Sequence, residues 1–125
     1  MRRRLSFVWP LLAAAACGPS PVSVPKGAWG GHNMSLVVDD AGASATFKCG
    51  ARGRISQPLV LSDSSTFDLT GTYDPVVVNA GARSARYSGA LSGTALQVTV
   101  TLDGGSIGTF EVDEGKTASF DVCSY

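Results

Sequence analysis

Side chains in this chain that could carry covalent chemistry include the thiols of Cys17, Cys49 and Cys123 and a single imidazole, His32. A thiol can be acylated, oxidised to a disulfide or deprotonated to a nucleophile, and its surroundings decide which. With one histidine in the chain, every His-based triad or imidazole-bound metal would have to use His32. Such a metal would need two or three further ligands, and the nearby Asp39 and Asp40 sit at a turn without a recognised spacing. Gly104-Gly105-Ser106-Ile107-Gly108 has the form of a G-x-S-x-G nucleophile elbow, which holds its serine on a strand-to-helix turn. The next residues, Thr109-Phe110-Glu111-Val112, alternate as a strand does, so the glycines read as a hairpin. Lys48, Arg52 and Arg54, spaced around Gly50, Ala51 and Gly53, would make an anion-binding concavity if their loop curled, and are otherwise outward charges at strand ends. No catalytic residue, cofactor or metal site is expected. Trp29, His32, Arg52 and Arg54 are the candidate binding residues.

What positions Cys17 is a leader. Arg2-Arg3-Arg4, an apolar run from Leu5 to Ala16 and small residues before the cysteine have the layout of a secretory signal peptide over residues 1–16. The run is interrupted by Pro10 and falls short of the roughly 20 residues that a spanning helix needs. Ala14-Ala15-Ala16-Cys17 resembles the lipobox of bacterial lipoproteins, with Ala14 where that motif usually carries leucine. The resemblance implies that the Cys17 thiol receives a diacylglyceryl group and becomes the first mature residue. It implies a membrane as partner, held through the lipid, and a location in the bacterial cell envelope. Ala14-x-Ala16 also suits an ordinary signal peptidase, which would release a secreted or periplasmic soluble protein instead. With Cys17 consumed by lipid, Cys49 and Cys123 remain as one pair in an oxidising compartment, where a disulfide persists. Closing a loop of that length stabilises a domain by on the order of 4–5 kcal/mol in the chain-entropy account.

Loss of residues 1–16 leaves enough chain for one domain, with seven Lys and Arg against ten Asp and Glu. That mild acidity argues against nucleic acid as a partner and against electrostatic adhesion to anionic lipid. Residues 17–27 carry prolines at 19, 21 and 25 and are expected to be an extended, lipid-anchored tether, with the folded domain over 28–125.

From Met34 onward apolar residues recur at every second position, the mark of half-buried strands. Met34, Leu36 and Val38 share one face, as do Ala43, Ala45, Phe47 and Cys49, then Phe67, Leu69, Gly71 and Tyr73. The same holds for Tyr87, Gly89 and Leu91, for Leu96, Val98, Val100 and Leu102, for Gly108, Phe110 and Val112, and for Ala118, Phe120 and Val122. Pro58 makes the run over 53–61 an edge or broken strand. About eight short strands with tight turns predict an all-β, antiparallel up-and-down meander, closed into a barrel in preference to a two-sheet sandwich. Cys123 has the opposite parity from Phe120 and Val122, so its bond to an inward-facing Cys49 requires a bulge or an earlier end to the strand.

The order Trp29-Gly30-Gly31, Phe47-x-Cys49, Phe67-x-x-x-Gly71-Thr72-Tyr73, Arg86-Tyr87-Ser88-Gly89 and Gly108-Thr109-Phe110, with Cys123 near the end, resembles a family of small bacterial exported proteins. Gly27-Ala28-Trp29 and Gly71-Thr72-Tyr73 are also similar to fragments of lipocalin-like and streptavidin-like barrels. The resemblance implies one coherent fold and brings no activity with it. Trp29 is expected to close one barrel end, with His32 beside it at the mouth and bonded to backbone. The function expected is a non-catalytic binding or interaction module of the envelope, its partner an envelope protein or a small ligand. The alternative is a small-ligand carrier or enzyme that uses the barrel mouth near His32. Inward positions hold Leu, Val, Phe, Tyr and Gly rather than an acid-base pair, which favours the first reading.

Overall fold

The computed structural model describes residues 21–76 and 81–123; the expected signal peptide over 1–16 and the lipid acceptor Cys17 lie outside the described residues. Ten strands form among the described residues: β1 (Val22–Ser23), β2 (Gly27–Gly31), β3 (Met34–Val38), β4 (Ala43–Phe47), β5 (Arg52–Ile55), β6 (Val60–Leu61), β7 (Thr66–Asp74), β8 (Arg83–Ser92), β9 (Ala95–Leu102) and β10 (Gly105–Glu114). Eight of them close into an antiparallel barrel in the order β10-β2-β3-β4-β5-β7-β8-β9, while β1 and β6 pair separately. Closure of β10 on β2 leaves the barrel without an unpaired edge.

Period-two patterning puts the apolar side chains inside. β3 and β4 alternate buried and accessible residues, and Met34, Leu36, Val38, Ala43, Ala45 and Phe47 face inward with Leu96, Val98, Val100 and Val112 from the far wall. Ser44, Thr46, Thr70, Ser84 and Arg86 lie outside. A barrel that spans a bilayer is apolar outside, the reverse of this arrangement.

Tyr87 is the largest inward side chain of β8, and glycines make room for it. A Cβ at Gly53 would collide with the Tyr87 hydroxyl, and one at Gly71 with the ring and with the Arg54 carbonyl. The hydroxyl donates to the Thr72 carbonyl oxygen at 2.6 Å, so the one polar atom of that side chain is satisfied inside an apolar core. Phe67 likewise packs over Gly89, its register partner.

One end of the barrel is plugged. β1 pairs with β6, Val24 donates its amide to the Leu59 carbonyl at 2.9 Å, and Val24, Leu59 and Leu61 are buried. Trp29 is wholly buried, its indole N–H bonded to the Pro25 carbonyl at 3.0 Å. The expected tether over 17–27 is therefore too long and the domain boundary at 28 too late, because Val22 to Val24 fold onto the barrel. Val22 and Val24, between prolines, have an apolar surface to bury, and the second half of the chain's broken 53–61 run supplies the strand that receives them. Pro58 splits that run into β5, a barrel stave, and β6, part of the plug.

The chain after β10 corrects a second expectation. Residues 118–122 do not form a strand: Ser119 makes a single parallel bridge to His32, and Phe120 and Val122 are 43% and 94% exposed. A barrel already closed by β10 and β2 offers no edge for another strand. The tail instead turns at Gly115, whose amide bonds to the Ala28 carbonyl, and runs back along the outside of β2. It lies so close over Gly30 that a Cβ there would meet the backbone of residues 116–118. The tail thus crosses the closing seam, where β10 and β2 share only three register pairs against eight between β10 and β9.

Candidate functional site

The end opposite the plug is a mouth, built from the β2–β3, β4–β5 and β9–β10 turns and the last residues of β7. A cavity of about 250 Å³ opens there, lined by Asn33, Phe47, Lys48, Tyr73, Ile107 and Phe110. Phe47, the last inward residue of β4, stands edge-on to Tyr73 with ring centroids 5.2 Å apart and tilted against Phe110 at 5.4 Å, both in the favoured range for aromatic pairs. Ile107 reaches the mouth because the register of β10 against β9 shifts between Ser106 and Gly108, leaving Ile107 as the extra residue of a bulge. The G-x-S-x-G sequence is thus a bulged strand whose isoleucine, rather than its serine, meets the site.

The rim is held by the tail. His32 and Asn33 form the β2–β3 turn, with Asn33 in the left-handed region at φ 65°. The Asn33 amide donates to Asp121 Oδ2 at 3.1 Å and its carbonyl oxygen accepts the Asp121 N–H at 2.8 Å. Backbone bonds add to this clamp, from the Asn33 amide to the Ser119 carbonyl and from the Ser119 amide to the Gly31 carbonyl. His32 Nε2 lies 3.2 Å from Asp121 Oδ2. The hydrogen bond from Asn33, with the nearby positive charges of His32 and Lys48, outweighs burial and holds the Asp121 carboxyl below the usual carboxylate range. Burial pushes the Tyr73 hydroxyl upward and, with the nearness of Tyr73, the Tyr87 hydroxyl further still, so both remain protonated donors at neutral pH.

Cys49 and Cys123 form a disulfide with Cα atoms 5.6 Å apart, fastening the tail to the β4–β5 turn beside the mouth. The parity conflict disappears because Cys49 does not continue the inward face of β4. That strand stops at Phe47, and Lys48 to Gly50 make a single 3-10 turn in which Cys49 adopts φ 64° and faces outward.

The other sequence candidates do not converge on the mouth. Trp29 is inside at the plugged end, whereas the His32 side chain is 68% exposed outside the rim, so indole and imidazole do not meet. β2 carries the two residues toward opposite ends. Arg54 turns outward to Ser44 Oγ at 2.8 Å and Asp39 Oδ2 at 3.6 Å. Arg52 is exposed on the outer face of β5 and Lys48 lines the mouth, so the three cations form no common concavity. Among the described residues no three His, Cys, Asp or Glu side chains come together to hold a metal. Larger hollows of about 360 and 590 Å³ lie outside on β7, β8 and β9, flanking the Arg86–Asp68 pair, whose bonds of 2.6 and 2.9 Å are bidentate. These are open troughs lined by threonine, serine and the ion pair beside Phe67, Ala85, Ala90 and Leu102, and they lie on the outer wall rather than at an end of the barrel.

Phe47, Tyr73 and Phe110 all stand on inward faces in the sequence, but which barrel end they occupy depends on strand direction. Ile107 has one sequence signal, Gly108 within a strand pattern, which marks a bulge. No protein-family model matches the chain, and neither a curated protein nor a solved structure is significantly similar to it.

Proposed function

We propose that the chain is an exported, lipid-anchored module of the bacterial envelope that binds through its barrel mouth without catalysis. The observation that carries this reading is the asymmetry of the barrel: one end is filled by Val24, Leu59, Leu61 and Trp29, leaving only an outer hollow of about 290 Å³ lined by prolines, aliphatic and charged side chains, and the other opens onto an aromatic cavity. Cys17 lies only five residues before β1, which belongs to the plug. A lipid on that cysteine holds the plugged end within roughly 17 Å of the membrane at full extension, and directs the mouth away from it. Exposed Val22, Val37 and Val60 cluster toward this same end. The enzyme alternative rests on His32, whose imidazole sits against Asp121 outside the cavity and serves the clamp on the tail.

The test is site-specific photocrosslinking in cells that export the full chain. A photoreactive amino acid in place of Asp103 at the mouth should give discrete adducts, and one in place of Gln57 near the plug should not. Equal adducts at both positions, or none at 103 with the protein exported and folded, would contradict binding through the mouth.

A further inference from the structure

The mouth has a composition that selects its ligand. Its walls are three aromatic rings and an isoleucine, and its volume of about 250 Å³ exceeds the roughly 150 Å³ of an apolar cavity that takes benzene, yet is below the roughly 300 Å³ at which drug-sized pockets begin. One ring with a short substituent fills it. The tilted contacts of Phe47 with Tyr73 and Phe110 suit a further ring, which gains from edge-to-face geometry beyond its area.

Lys48 is the one charged side chain among the residues lining the cavity. Asn33 is committed to Asp121 through both ends of its amide, so it has little left to offer a ligand. Lys48 lies near enough to Asp121 to help lower its pKa, yet takes part in none of the ion pairs among the described residues. An ammonium donates only. A ligand that bonds Lys48 brings an acceptor, and a carboxylate makes the strongest such bond.

Resting on the reading of the mouth as the binding end, we propose that it takes a single aromatic ring bearing a carboxylate a few bonds away. The ring lies among Phe47, Tyr73 and Phe110, and the carboxylate is on Lys48. A free aryl-alkanoic acid and the C-terminus of a peptide ending in phenylalanine both have this chemistry.

The experiment titrates 3-phenylpropionate into the purified mature protein and follows the ring resonances of Phe47, Tyr73 and Phe110 by NMR. Saturable shifts confined to the mouth are expected. Affinity should fall roughly tenfold for 3-phenylpropionamide, which keeps the shape and lacks the charge, and by a similar factor for the acid binding to Lys48→Met. Lys48 is exposed in a turn, so that variant should retain the native spectrum. A Gly-Gly-Phe peptide with a free carboxylate that binds more tightly than the acid identifies a peptide terminus as the source, and the converse order a free acid. Binding that ignores both charge removals overturns the carboxylate assignment. No shift at those rings in folded protein overturns the ligand class, while crosslinks from position 103 would still support a binding mouth for some other partner.

Discussion

Asp121 shows how one side chain couples the tail to the rim. Its carboxyl titrates below the ordinary value of 3.8 because Asn33 donates to it and His32 and Lys48 lie near. A carboxyl with a lowered folded pKa contributes stability that is complete above the unfolded value and lost as pH falls through the folded one. The amides of Ser119 and Asp121 are therefore expected to lose hydrogen-exchange protection below about pH 4, and Asp121→Asn should flatten that dependence. At the other end, Trp29→Ala removes the largest fully buried side chain and should destabilise by about 3–5 kcal/mol in denaturant unfolding. A cost under about 1 kcal/mol would place the indole on the surface. Inside the barrel, Gly53→Ala drives a methyl against the Tyr87 hydroxyl and should cost about 1–3 kcal/mol, partly relieved by Tyr87→Phe, since the methyl still meets the Thr72 carbonyl.

Elements were legible in the sequence where a period-two face was long and bounded by turns. Met34 to Val38 and Leu96 to Leu102 read directly as strands because each buries one face and shows polar residues on the other. Ala118, Phe120 and Val122 have the same alternation, yet the completed barrel leaves them outside, since pairing needs a free edge and local pattern cannot count edges. Cys49 misled for a local reason: parity extends a strand past Phe47, whereas the backbone turns at Lys48. The plug was missed because Val22 to Val24 is too short to show a period. The cysteine pair itself was legible by arithmetic, and it fixes the strap over the short β10–β2 seam. Replacing both Cys49 and Cys123 by serine should lower stability by on the order of 4–5 kcal/mol. Exchange protection should fall first at Ser119 and next at the Gly30–Asp113 pairing. If the seam keeps its protection, the strap is incidental to closure.

For the whole molecule, closed topology accounts for both ends at once: a meander of eight staves has no edge to manage, so the short β1–β6 pair is left to fill one end, and among the described residues nothing fills the other. The mouth's rings were legible as inward residues, but not as one site, because that requires knowing which strand ends meet. In the proposed function, the lipid anchor and the mouth lie at opposite ends of the barrel. The direct measurement places a fluorescent amino acid at Gln57 or at Asp103 of the mature lipid-bearing protein in vesicles whose headgroups carry a quencher. Strong quenching at 57 and little at 103 is the predicted result. Stronger quenching at 103 would turn the mouth toward the membrane, and none at either position in a Cys17-processed protein would remove the anchor.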